Sequence, residues 1–147
     1  MLSLAGCSVA GGANQASSDS PPAVPSSAAD NAITLYVFGA SQGVMGPDGN
    51  GHAAIVPSNF VLHEGQQVTV TVFNYSEGPH SITSEELGLD LSINPVMTTF
   101  QFTPTKKGVF RWHCVPPCDP RHSGWAMTQG WDGPGQPGYM AGNIIVV

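Results

Sequence analysis

Phe110-Arg111-Trp112-His113-Cys114-Val115-Pro116-Pro117-Cys118-Asp119-Pro120-Arg121-His122 is the stretch on which the reading of this chain turns. Its first half alternates: Phe110, Trp112 and Cys114 fall on one side of an extended segment, Arg111 and His113 on the other. The aromatic side is the natural core side, so the segment reads as a strand that delivers Cys114 inward and points His113 away. Its second half places Cys118 and then His122 after three intervening residues each, spacing that lets a short loop fold back on one point. Soft thiolates with imidazole suit copper, zinc or iron–sulfur rather than hard cations.

Outward from this run the pattern is β. Ile33–Phe38 is rich in β-branched and aromatic residues. Gly39–Gly51 reads as a loop. Phe60–Leu62 leads into a turn at His63-Glu64-Gly65. Val68, Val70 and Val72 then alternate with Thr69, Thr71 and Phe73. Val96–Phe102 supplies another strand, Val109–Cys114 the penultimate one and Asn143–Val147 the last, while Glu85–Leu89 makes at most one turn of helix. Gly (18) and Pro (13) are abundant and charged residues only 10% of the chain, which suits short strands and tight turns. The expected fold is all-β, a Greek-key sandwich of two sheets over residues 32–147.

Residues 8–31 hold no aromatic and almost no large apolar side chain, so they read as a flexible linker. Before them, Leu4-Ala5-Gly6-Cys7 resembles the lipobox of bacterial lipoproteins, in which the cysteine carries lipid. Residues 1–7 are then the truncated end of a signal segment. Three cysteines is an odd number, and lipidation of Cys7 gives the third a separate task. Ten acidic residues against four basic give a net charge of −6, which speaks against nucleic acid as a partner.

A distant histidine joined to a Cys/His loop between the last two strands resembles the cupredoxin family. Val56-Pro57-Ser58-Asn59-Phe60, the Val-rich run to Asn74, and His80 in Gly78-Pro79-His80-Ser81 strengthen the likeness. The doubled cysteine looks most like the CuA domain of cytochrome c oxidase subunit II. That resemblance implies copper, one ion or two, with Cys114 and Cys118 as bridging thiolates. His80 and His122 would be terminal ligands, and the Pro116 carbonyl and a methionine weak outer ones. The CuA pattern expects Met three residues after the loop histidine, where this chain has Trp125. Met127 keeps the His-x4-Met spacing of simpler blue copper proteins, whereas Met140 stands just before the final strand, where cupredoxins place their axial methionine; the topology favours Met140.

The resemblance further implies an electron carrier outside the cytoplasmic membrane, held there by a lipid anchor alone. Its partner would be a redox protein such as a c-type cytochrome or a membrane oxidase, and it would not be an enzyme by itself. Glu77, Glu85, Glu86 and Asp90 form a run without Lys or Arg that would make an acidic dock if gathered near His80. Alternatives remain: a copper chaperone or store, a sandwich stapled by a Cys114–Cys118 disulfide with His122 a surface residue, and a structural zinc site. His52 and His63 read as solvent-facing.

Overall fold

The computed structural model describes residues 31–118, 125–128 and 139–147. Eleven strands are described: β1 (Ala32–Phe38), β2 (Val44–Met45), β3 (Gly51–His52), β4 (Ala54–Val56), β5 (Phe60–Leu62), β6 (Val68–Asn74), β7 (His80–Ser84), β8 (Leu89–Ile93), β9 (Val96–Phe102), β10 (Gly108–His113) and β11 (Ala141–Val146). A 3-10 turn spans Glu85–Leu87 and one helical turn, α1, Trp125–Thr128. One sheet has the order β4-β1-β6-β9 and the other β5-β11-β10-β7-β8, with β2 and β3 a separate small hairpin. From β6 the chain crosses to β7–β8, returns to β9 and crosses again to β10–β11, the connectivity of a Greek-key sandwich. The fold is the cupredoxin-like all-β sandwich that the sequence leads one to expect.

Alternation builds the core. In β6, Val68, Val70 and Val72 are buried while Thr69, Thr71 and Phe73 are partly exposed. In β10, Phe110 and Trp112 are buried and Arg111 is exposed. Trp112 is fully buried and its indole N–H donates to the Ser58 carbonyl at 2.7 Å. Gly142, opposite Trp112 on β11, makes room for this bond: a Cβ there would sit 2.8 Å from the indole nitrogen and collide with the Ser58 carbonyl. Truncating Trp112 to Ala removes a large buried ring and costs about 3–5 kcal/mol.

Four details differ from the sequence reading. The Gly39–Gly51 stretch contains one strand of the β2–β3 hairpin and the first residue of the other. His80 opens a strand, β7, that pairs along its whole length with β8, where only a turn was expected. The final strand begins at Ala141. His52, expected in solvent, is fully buried, whereas His63 is exposed as expected. The cause is Asp48, whose two carboxylate oxygens lie 2.9 and 3.0 Å from His52 Nε2, with Tyr139 packed edge-on at 5.5 Å.

Candidate metal centre

Three crossings of the sandwich end at one pole. β6 finishes at Asn74, β10 at His113 just before Cys114, and β11 starts just after Met140. Parallel pairing of β1 with β6 sets Val37 beside Asn74 at this pole and Ala32 beside Thr69 towards the other. The pairs His113–Thr83 and His113–Ala141 bring the segment following β10 between the start of β7 and the start of β11. Here His80, Cys114 and Cys118, all buried, place their ligand atoms within 4.8 Å of one another.

The turn from Asn74 to His80 is held from within. The Asn74 side-chain oxygen accepts the Ser76 N–H at 2.9 Å, and its amide donates to the Asn94 carbonyl at 3.3 Å. Ser76 Oγ then lies 2.8 Å from His80 Nε2 and 3.4 Å from the Gly78 N–H. With Nε2–H donating to that hydroxyl, the opposite nitrogen, Nδ1, presents its lone pair to the sulfurs. It lies 3.1 Å from Cys118 Sγ and 3.9 Å from Cys114 Sγ. Burial lowers the His80 pKa from the usual histidine value, which keeps the ring neutral and able to ligate.

Cys114 is tied down on both sides. Its N–H donates to the Met140 carbonyl at 2.9 Å, and the Ser81 N–H points at its sulfur at 3.4 Å. The neighbouring Val115 N–H is taken by the Ser81 hydroxyl at 2.9 Å. A backbone N–H aimed at sulfur favours the thiolate over the thiol. The Pro116 carbonyl oxygen lies 3.8 Å from Cys114 Sγ.

The sulfurs of Cys114 and Cys118 meet in disulfide contact, while their Cα atoms are 7.1 Å apart. Disulfides usually span about 4.4–6.8 Å between Cα atoms, and wider pairs need backbone movement. The backbone spacing thus favours two separate thiolates. Two sulfurs and an imidazole nitrogen, buried and pre-aimed, fit a soft or borderline ion.

Met140 is fully buried and joins the core, with its N–H given to the Ala126 carbonyl at 2.9 Å. Met127 is partly buried against the same core. His122, Cys7 and the body of the linker lie outside the described residues. The expected acidic cluster does not gather at His80. Glu77 borders the site, but Glu85 and Glu86 follow the far end of β7, and Asp90 pairs with Thr83 rather than with His80. Five residues of extended strand separate Glu85 and Glu86 from the pole by roughly 15 Å, and three separate Asp90 from it by roughly 10 Å.

Sequence reasoning missed Ser76 and Ser81, the two residues that orient His80 and Cys114. The signal available was spacing alone: Ser76 precedes His80 by four residues and Ser81 follows it directly. A cleft of about 450 Å³ opens beside the centre, bordered by Cys118, His80, Gly78, Ser76 and Tyr75.

No protein-family model and no curated protein sequence matches the chain. Solved structures do resemble it. A copper nitrite reductase from Nitrosomonas europaea matches with TM-score 0.52 and 24% identity over 78% of this chain and 40% of that one. A blue copper oxidase from the same organism matches with TM-score 0.52 and 20% identity over 78% and 38%. Auracyanin from Roseiflexus castenholzii matches with TM-score 0.49 and 15% identity over 80% and 97%. The chain thus spans about two fifths of the length of the two Nitrosomonas proteins. What the first two have in common with it is the fold, the cupredoxin-like β-sandwich.

Proposed function

We propose that this protein is a copper-binding electron carrier of the cell envelope, tethered to the outer face of the membrane through Cys7. The observation that carries the reading is the convergence of His80 Nδ1 on two buried sulfurs, with the other ring nitrogen occupied by Ser76. Mixed thiolate and imidazole donors suit both oxidation states of copper. The two solved structures that share the fold at the higher TM-score are named as copper proteins, which agrees with this choice of ion.

Copper bound here supplies one-electron redox chemistry. The chain's own contribution is to hold the donors still and keep water out. Ser76 fixes the His80 ring, Met140 and Ser81 fix Cys114, and the buried setting keeps His80 neutral. Cys114 and Cys118 as paired thiolates, His80 and His122 as terminal ligands, and the Pro116 carbonyl with Met140 as weak outer donors make up the proposed set. Donors fixed before and after electron transfer need little reorganisation. Ligands buried and fixed in this way favour an electron carrier over a copper-delivery protein, which must release its cargo, and the full ligand set leaves a substrate no open position.

The tether suits this arrangement. Residue 31 enters the fold at the pole opposite the centre, where its side-chain amide donates to the Gln67 carbonyl at 2.8 Å. Residues 8–31, as a flexible chain, would reach about 25–30 Å on average. The metal pole would then face away from the membrane, towards a redox partner such as a c-type cytochrome or an oxidase.

Copper loading of the reduced protein, followed by optical and spin-resonance spectra, tests the reading. Strong thiolate-to-copper absorption in the visible is expected. Copper that binds without colour, or Cys114 and Cys118 that stay paired under mild reduction, would overturn it.

A further inference from the structure

The outer face of the β4-β1-β6-β9 sheet carries a ladder of aromatic rings. Phe73 stacks on Tyr36 at 5.8 Å, Tyr36 on Tyr75 at 6.4 Å, and Tyr75 on Phe38 at 5.7 Å, with interplanar angles of 17°, 8° and 18°. Met97 lies opposite Phe73, and Val56 opposite Tyr36, which extends the apolar strip to both neighbouring strands. Tyr75 and Met97 are more than half exposed, at 57% and 51%. Towards the other pole the face continues with Thr71 opposite Thr99, their hydroxyls 3.4 Å apart, and Thr69 opposite Gln101. The outward positions of these four strands include no Asp, Glu, Lys or Arg.

An ordered, uncharged aromatic surface on a chain of net charge −6 has a specific implication. Two copies meeting through this face bring no carboxylates of its strands together. Anionic membrane surfaces and acidic or basic proteins gain nothing from it, because it offers no charge to pair. Strands of 3, 7, 7 and 7 residues, spaced about 4.8 Å apart and rising about 3.3 Å per residue, present roughly 400 Å² per copy in flat projection. Two such faces fall in the range of weak, reversible association rather than obligate assembly.

We propose that this face is the interface of a weak two-fold homodimer, in which the ladders of two copies pack against each other with Tyr36 and Tyr75 at the centre. Sheets stacked in this way would lie face to face at about 10 Å. The interface is isologous, so each copy offers the same strip. Since Tyr75 also borders the cleft beside His80, dimerisation covers one rim of that cleft. The proposal does not depend on copper.

Sedimentation equilibrium of the full, unlipidated chain from micromolar to millimolar concentration is the test. The weight-average mass should rise from 15.3 kDa towards twice that value, with little dependence on salt. The double variant Tyr36→Lys, Tyr75→Lys should stay monomeric while keeping the circular dichroism of the parent, and Glu85→Lys with Glu86→Lys should dimerise as the parent does. Concentration-dependent NMR shifts confined to the Tyr36, Tyr75 and Met97 side chains check the same point without substitution. A parent that stays monomeric throughout, or shifts that centre on another face, would overturn the proposal.

Discussion

The Nδ1 atom of His80 lies 3.1 Å from the sulfur of Cys118, thirty-eight residues further along the chain. This contact closes the metal pole, and nothing local to either residue produces it. His80 opens β7 and Cys118 belongs to the loop that follows β10, so the contact depends on the antiparallel pairing of those strands through His113 and Thr83. The ring is aimed from behind by Ser76, and Ser76 is itself placed by Asn74.

Ser76→Ala should therefore weaken copper binding without removing a ligand. Loss of a group that orients a metal-bound histidine typically costs 10–100-fold in affinity, so a drop of about that size is expected in a competition titration. The visible bands should keep their character because the donor atoms are unchanged. Ser76→Thr retains the hydroxyl and should restore most of the affinity. Unchanged affinity in the alanine variant would show that the ring is held by other contacts.

Cys114 and Cys118 can act as a bridging pair or as one ligand and one bystander, and metal stoichiometry separates the two. With both thiolates bridging, metal analysis should give two coppers per chain, and spin resonance should show one unpaired electron shared over two copper nuclei. One copper with single-nucleus splitting would select the mononuclear site. Cys114→Ser should abolish or transform the colour in either case, since its backbone and sulfur are the more fully bonded into the scaffold.

What could be read from the sequence follows the physics of each residue. β6 and β10 were legible because strict alternation of Val or aromatic with Thr or charged residues has one meaning when a single face is buried. β7 was not, because His80-Ser81-Ile82-Thr83-Ser84 is mostly polar by composition, yet all of these residues but Thr83 are buried. Most of its polar side chains are satisfied in ways hydropathy does not record: Ser81 bonds Thr83 and the Val115 N–H, and His80 bonds Ser76, while the buried Ser84 hydroxyl has no partner among the described residues. His52 failed for the same reason, since its burial depends on Asp48 across a glycine-rich turn. The trio His80, Cys114 and Cys118 could be named because cysteine and histidine carry their chemistry in their identity. The acidic dock could not be placed, because a run of like charges does not reveal where a strand carries it.

Met140, whose carbonyl accepts the Cys114 N–H and whose side chain is fully buried, is the axial methionine proposed above. A thioether at a long distance adjusts redox potential more than it holds copper. Met140→Leu should shift the potential in protein-film voltammetry and leave copper content near that of the parent. Met127→Leu should leave both nearly unchanged. The reverse ranking would move the role to Met127, and a potential unmoved by either change would mean that neither thioether reaches the copper.

Acid should destabilise the metal-free protein in two separable steps. Burial lowers the His80 pKa, so the unfolded chain takes up a proton there before the folded protein does, and stability declines as pH falls below the ordinary histidine value of about 6.5. Asp48 acts lower down. Its hydrogen bond with His52, and then those with Asn50, hold its carboxyl well below the usual carboxylate range. A depressed carboxyl stabilises the fold above its unfolded value of about 3.9, and that contribution is lost as pH falls through the folded value. Asp48→Asn should lower stability at neutral pH, leave the decline near pH 6.5 in place, and flatten the decline below pH 4, as followed by urea denaturation across pH. The effect should reach the metal pole as well, because His52 packs edge-on against Tyr139, whose hydroxyl donates to the Met45 carbonyl at 3.3 Å and whose neighbour Met140 holds Cys114. Copper affinity in Asp48→Asn should accordingly fall less than in Ser76→Ala, since the disturbance reaches the ligands only through the backbone of Met140. An acid limb below pH 4 that is identical in parent and variant would show that the Asp48–His52 pair forms without contributing to the fold.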